Sequence, residues 1–172
     1  MLTEYKIEDE LKVIKNKFKE NKQPAIDEDF EILIKEMKTY GVKNADIPEE
    51  LKVLWKISSE WHLIEDHYDV FGFNIYNPKQ IIQYTKNIFG DENCKKEWSE
   101  YIGKVSCADN DWLCIASYSE YDYIFMNFNR QSRFFSATRH MVNNCTEDEE
   151  LTMPPFLNFL NYIKDFVKKY QN

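Results

Sequence analysis

Four short segments rich in aromatic and β-branched residues follow one another over residues 101–138, with only short polar turns between them. Such short turns can join only neighbouring antiparallel strands, so this stretch predicts a β-meander. The expected strands are Tyr101–Cys107, Trp112–Tyr118, Tyr121–Phe128 and Arg133–Thr138. A sheet of this kind buries its apolar face against a second layer, which the rest of the chain must provide.

Helical patterns on both sides of the meander provide that layer. Apolar residues recur every three or four positions from Ile7 to Phe18, which predicts a first helix. A second helix is expected to begin with Asp27 as its N-cap and to end at Gly41, and a third is expected to begin at Pro48.

The remaining elements follow from the same rules. A strand is expected at Val70–Tyr76, and Asn77-Pro78 begins a helix that ends at Gly90. Phe156–Tyr170 carries a regular apolar stripe and predicts a closing helix. The sequence therefore predicts an α+β fold: a mostly antiparallel meander packed against helices, with a helix-rich N-terminal half and one C-terminal helix.

Length and composition restrict the domain count and the compartment. The 172 residues suit a single domain over residues 1–172, with residues 1–42 expected to be a helical N-terminal extension. The sequence has no apolar run long enough to predict a membrane span or a secretory signal. The four cysteines lack paired spacing and are expected to be reduced thiols, so we expect a cytoplasmic protein.

The charge of the chain restricts its partners. A net charge of −8 opposes binding to nucleic-acid phosphates and favours a basic protein partner. The three arginines, in contrast, all fall between residues 130 and 139, and no lysine occurs between Lys104 and Lys164.

With these patterns in place, the chain resembles the SUKH superfamily, the SMI/KNR-type domain, over residues 44–170. The resemblance begins at Ile47–Leu51, continues through Val70–Tyr76 and the meander, and ends at Phe156–Val167. Many members carry glycines in the turn between the first two meander strands, whereas this chain has Ala108–Asp111 there. The resemblance implies a protein-binding module that is not an enzyme. Its best-known members are immunity proteins that neutralise a cognate toxin, often a nuclease, and others are regulatory scaffolds.

Three residue combinations could carry chemistry, and none matches a functional motif. Asp109 and Asp111 resemble the start of a calcium loop, but apolar residues follow where oxygen ligands should be, so a hydrogen-bonded turn fits better. His62, Glu65 and His67 could suggest a zinc motif, but the two histidines are five residues apart, which does not suit a helical zinc site. Cys145 has a histidine nearby at His140, but the acidic run beside it opposes an activated thiolate. We expect no catalytic residue, metal or cofactor.

An acidic surface is the remaining candidate site. Carboxylates cluster in the loops of the meander, and aromatic residues lie beside them. The expected partner-binding residues are Asp109, Asp111, Trp112, Tyr118, Glu120, Tyr121, Asp122, Glu147, Asp148, Glu149 and Glu150. Exposed carboxylates would steer a basic partner, and the aromatics would form the dry centre of the interface. A merely solvated acidic face and buried core aromatics remain the alternatives.

The hypothesis is therefore an immunity protein that neutralises a bacterial toxin by stoichiometric binding through an acidic surface. The alternative is a regulatory protein-interaction scaffold of the same fold without a toxin partner. The oligomeric state stays open.

Overall fold

A computed structural model describes residues 23–63, 73–89, 110–118, 122–142 and 152–153. The expected first helix, the strand Tyr101–Cys107 and the closing helix at Phe156–Tyr170 lie outside these ranges.

Helices and one antiparallel sheet make up the described part of the chain. The helices are α1 (Asp27–Tyr40), α2 (Glu49–Ile57) and α3 (Ile81–Phe89), and a short 3-10 helix, Pro78–Gln80, leads into α3. The strands are β1 (Trp61–Leu63), β2 (Phe73–Ile75), β3 (Trp112–Tyr118), β4 (Asp122–Asn127), β5 (Thr138–Val142) and β6 (Thr152–Met153). Each strand pairs antiparallel with the next in chain order, which confirms the α+β fold with an antiparallel meander.

The termini of α1 show how the sequence positions this helix. Ile26, and not the expected Asp27, is the N-cap, and its N–H donates to Asp29 Oδ2 at 3.0 Å. The expected end is confirmed: Gly41 is left-handed, with φ 103°, and its N–H donates to the carbonyl oxygen of Lys38 at 3.2 Å. The next residue, Val42, donates back into the last turn, so that the chain leaves the helix in a Schellman motif.

The helices pack on the sheet through a shared apolar core. α1 contacts α3, and α3 contacts β3. The fully buried residues come from all of these elements, and they include Leu33, Leu54, Trp55, Ile81, Leu113 and Phe125. Burial of each such side chain contributes about 1.5–3 kcal/mol to folding. In the described part of the chain, no helix is both long enough and apolar enough to cross a membrane.

Two buried hydrogen bonds also join the helices to the sheet. Trp55 Nε1 donates to the carbonyl oxygen of Tyr76 at 2.9 Å, which joins α2 to the end of β2. Thr85 on α3 accepts the backbone N–H of Cys114 at 2.9 Å, next to a bulge in β3. These bonds hold α2 and α3 in position on the sheet, because a displaced helix would leave a buried polar group unpaired, which is costly.

One expected strand is placed differently. Residues 130–136, predicted to include the first half of a strand at Arg133–Thr138, form turns, and β5 begins only at Thr138. The turn is closed by two bonds: Ser136 N–H donates to the Asn127 carbonyl, and Asn127 N–H donates to the Ala137 carbonyl. Ser136 is left-handed, with φ 68°, which a strand does not allow.

Replacing Gly41 with alanine is expected to destabilise the fold by about 1–2 kcal/mol, because L-residues are strained in the left-handed region. An added Cβ would also lie 2.7 Å from Asn110 Nδ2. Urea unfolding checks this, with Lys38→Ala in the same exposed turn as a control that should change stability by less than about 0.5 kcal/mol. Full recovery in the double variant G41A/N110A would show that the contact, and not backbone strain, makes glycine necessary.

Asp29→Asn is expected to destabilise the protein at neutral pH and to lose this effect in acid. The hydrogen bond from Lys79 lowers the pKa of Asp29 below its ordinary value of 3.8, burial opposes this, and the Ile26 N–H lowers the pKa further. Lys79 Nζ lies 2.7 Å from Asp29 Oδ1 in this ion pair. Because the pKa is lower in the folded state, the stabilisation is present above the ordinary pKa and is lost as pH falls through the folded value.

Unfolding free energies of the wild type and Asp29→Asn, measured from pH 7 downward, should converge. Asp27→Asn is the control, and it should change stability less because the Asp27 side chain is 84 % exposed. A gap between wild type and Asp29→Asn that stays constant with pH would contradict a role for the ionised carboxylate.

Candidate functional site

Asp111 does not lie on the expected exposed surface. It precedes β3 and is only 5 % exposed. Its Oδ1 accepts the backbone N–H of Lys43 at 2.8 Å, and its Oδ2 accepts Asn129 Nδ2 at 2.7 Å. The expectation that Asp111 presents its carboxylate to a partner is therefore wrong, because both oxygens are used inside the protein.

Trp112 is also buried, at 2 % exposure, so its predicted role as an exposed aromatic anchor is wrong. The residue begins β3 and pairs with Asn127 of β4. Its ring centroid lies 6.1 Å from that of Phe134, within the range of an aromatic pair. Core packing, the alternative interpretation of this tryptophan, is the one that the structure supports.

The bonds of Asp111 belong to a set of contacts that joins two distant loops. We call Asp111, Asn129 and the Lys43 backbone the polar clamp. Beside it, Arg130 N–H donates to the Asn44 carbonyl at 3.1 Å and Asp46 N–H donates to the Phe128 carbonyl at 3.0 Å. The loop after α1 is thereby attached to the connection between β4 and β5.

Sequence reasoning missed the partners of Asp111. Asn127 and Asn129 are buried, at 2 % and 9 % exposure, and flank the buried Phe128. Asn127 Oδ1 accepts the Asn129 N–H at 3.0 Å, and Asn129 Oδ1 accepts the Gln131 N–H at 3.0 Å. Asparagines at the end of a strand and two residues later are a turn signal, but only the fold shows that Asn129 binds Asp111.

Tyr118 and Asp122 lie at the other end of the sheet. They pair with each other across the turn between β3 and β4. Six residue steps separate Trp112 from Tyr118, which is roughly 20 Å at about 3.3 Å per step. The expected site is thus divided, since Asp111 and Trp112 do not share a surface with the β3–β4 turn.

The register places beside Tyr118 other strand ends that lead into acidic connections. Asp122 pairs with Val142, after which the chain enters the connection that contains Glu147–Glu150. Tyr118 also pairs with Phe73, which itself pairs with Leu63 at the end of β1. We call the sheet end marked by Leu63, Phe73, Tyr118, Asp122 and Val142 the acidic end.

Asp109, Glu120, Tyr121 and the run Glu147–Glu150 lie outside the described residues. For Tyr118 and Asp122 the structure describes the backbone pairing and not the side chain.

Of the histidines considered for chemistry, the structure describes His62 and His140, and they lie in different strands. His62 lies in β1 opposite Asn74, and His140 lies in β5 opposite Ile124. Glu65, His67 and Cys145 are outside the described residues. Within the described ranges, no group of three or more His, Cys, Asp or Glu side chains is arranged to hold a metal ion.

Comparison with protein-family models gives no match to this chain, and comparison with curated proteins gives none either.

Asp111→Ala is expected to lower the free energy of unfolding by about 2–4 kcal/mol, because it leaves the Lys43 N–H and the Asn129 amide without their acceptor. Asp111→Asn should cost less, since one oxygen still accepts the Lys43 N–H. Denaturant unfolding of both variants measures this order. Wild-type stability in Asp111→Ala would contradict the structural role of the polar clamp.

Proposed function

We propose that this chain is a SUKH-like immunity protein that binds a cognate bacterial toxin in the cytoplasm and neutralises it through the acidic end of its sheet. The observation that carries the proposal is the strand register. It places Tyr118, Asp122 and Val142 side by side, so that separate acidic connections begin from one edge of the fold.

The charge of these connections supports a basic partner. Residues 119–122 and 143–151 contain six carboxylates and neither lysine nor arginine. Residues 64–72, which connect β1 to β2 at the same end, add three more carboxylates and again no lysine or arginine. Unscreened charge of one sign raises the association rate with a partner of the opposite sign.

The order of elements supports the resemblance as well. α2 follows directly after Pro48, a strand ends before Asn77-Pro78, a helix follows, and the meander comes next. The resemblance to the SUKH superfamily rests on these elements together with the closing segment Phe156–Val167, which lies outside the described residues.

The proposed mechanism is occlusion and involves no reaction. A nuclease toxin binds phosphates in a basic groove, and the carboxylates of the acidic end compete for the same cations. Tyr118 and Tyr121 are the aromatic residues that would form the dry centre of the contact, as tyrosines often do at interfaces. Asp111 and Trp112 take no part in this interface, because both are buried.

Charge reversal at Glu120, Asp122 and Glu147–Glu150 is expected to slow association with the toxin at least about tenfold at low salt and to flatten its salt dependence. The dissociation rate should change less, because steering acts on encounter. Stopped-flow binding to the toxin encoded beside this chain, at two ionic strengths, measures both rates. The same variants should lose the ability to rescue cells that express the toxin.

Glu28→Lys with Glu31→Lys is the matched control, because both glutamates are exposed on α1 and remote in sequence from the acidic end. The control should keep rescue and change association by less than about threefold. Unchanged association in the acidic-end variants would place the toxin elsewhere. Failure of the wild type to rescue cells would favour the regulatory scaffold of the same fold.

A further inference from the structure

The arginines of this chain are used differently from its lysines. Of the 22 lysines and arginines only three are arginines, and they occupy positions 130, 133 and 139 without a lysine between them. Arginine differs from lysine in its planar guanidinium, which can bind a carboxylate through two parallel hydrogen bonds. Lysine supplies almost all the cationic side chains of this chain, and arginine occurs in one short region only.

Two of these arginines lie on the turns between β4 and β5. The Arg130 side chain is 74 % exposed, and Arg133 is exposed as well. The Arg133 guanidinium carbon lies 4.6 Å from the ring centroid of Phe134, which itself packs beside Trp112. The stacking holds one face of the guanidinium on an aromatic ring that is anchored in the core, while the side chain stays exposed.

Hydrogen bonds within this connection hold its backbone in place. We call residues 128–137 the arginine loop. Ser132 N–H donates to the Asn129 carbonyl at 2.9 Å, Phe134 N–H donates to Ser132 Oγ at 3.1 Å, and Ala137 N–H donates to the Phe134 carbonyl at 2.8 Å. A loop that is ordered before binding loses less conformational entropy when a partner docks.

A further exposed cation lies beside the arginine loop. Lys43 is exposed on the adjoining loop, which the polar clamp holds against the arginine loop. Among the described carboxylates nearby, Asp111 is buried, Asp46 lies 3.5 Å from Arg130 and 4.0 Å from Lys52, and the exposed Glu49 lies 3.5 Å from Lys52. Three exposed cations therefore lie on two adjoining loops of a chain whose net charge is −8.

We propose that the arginine loop and Lys43 form a docking surface for an acidic polypeptide segment, with Arg130 and Arg133 binding its Asp and Glu carboxylates. Charge complementarity selects this partner, and the arginine fork suits carboxylates. Three cations on a strongly acidic protein are too few for a nucleic-acid backbone. The surface lies at the opposite end of the sheet from the acidic end, so it does not depend on the proposed toxin interaction.

Fluorescence anisotropy with a labelled short peptide of alternating Asp and Glu tests the proposal. The wild-type chain should bind the peptide, and binding should weaken with added salt. Arg130→Gln with Arg133→Gln should weaken binding at least about tenfold. Arg130→Lys with Arg133→Lys should weaken it about three- to fivefold, because lysine keeps the charge and loses the planar fork.

Lys35→Gln with Lys38→Gln removes two exposed cations of α1 and should change binding by less than about twofold. An equal loss in this control would show general electrostatics and overturn the proposal. The proposal would also be overturned if the peptide did not bind, if the glutamine variant bound it fully, or if single-stranded DNA bound more tightly than the peptide.

Sedimentation velocity of the wild type should show no self-association that weakens with salt. Such self-association, if lost in the glutamine variant, would identify a second copy of the chain as the partner and contradict the proposal. Circular dichroism confirms that each variant is folded.

Discussion

The buried carboxylate of Asp111 is the interaction on which this end of the fold depends. A charged group at 5 % exposure is costly unless its oxygens are hydrogen-bonded, and here each oxygen accepts an N–H from a different loop. The donors lie 68 and 18 residues away in sequence. One side chain therefore links the end of α1, the start of β3 and the connection after β4.

This arrangement gives the two ends of the sheet different properties. At the end that holds the polar clamp, protein donors and cations bind the carboxylates of Asp111 and Asp46, and Lys43, Arg130 and Arg133 are exposed. At the acidic end, the strand register brings together the strand ends from which connections without lysine or arginine begin. The length of β3 separates these strand ends from the exposed cations beside the polar clamp.

The sequence predicted elements well where a local signal sets them. β3 agrees with its prediction in full, β4 agrees to within one residue at each end, and Gly41 ends α1 through its left-handed backbone. The short strands β1 and β6 were not predicted, because segments of three and two residues carry no readable alternation.

The site was less predictable for a physical reason. Asp111 lies among other polar residues in a turn. The same sequence pattern occurs where a carboxylate is exposed and where it accepts a hydrogen bond from a distant part of the backbone. Trp112 beside it could equally anchor a partner or fill the core. Only the pairing of β3 with β4, and the approach of the loop after α1, decide that both point inward. The strand ends that lead into acidic connections likewise lie side by side because of the strand register, which could not be predicted from the sequence.

Affinity capture of the tagged chain from its native lysate, at low and at moderate salt, tests the central claim most directly. We expect recovery of one basic protein in equal amount with the chain, in a complex that weakens as salt rises, and we expect that protein to be toxic when expressed alone. Recovery of signalling or housekeeping proteins, or of no stoichiometric partner at either salt, would contradict the immunity function.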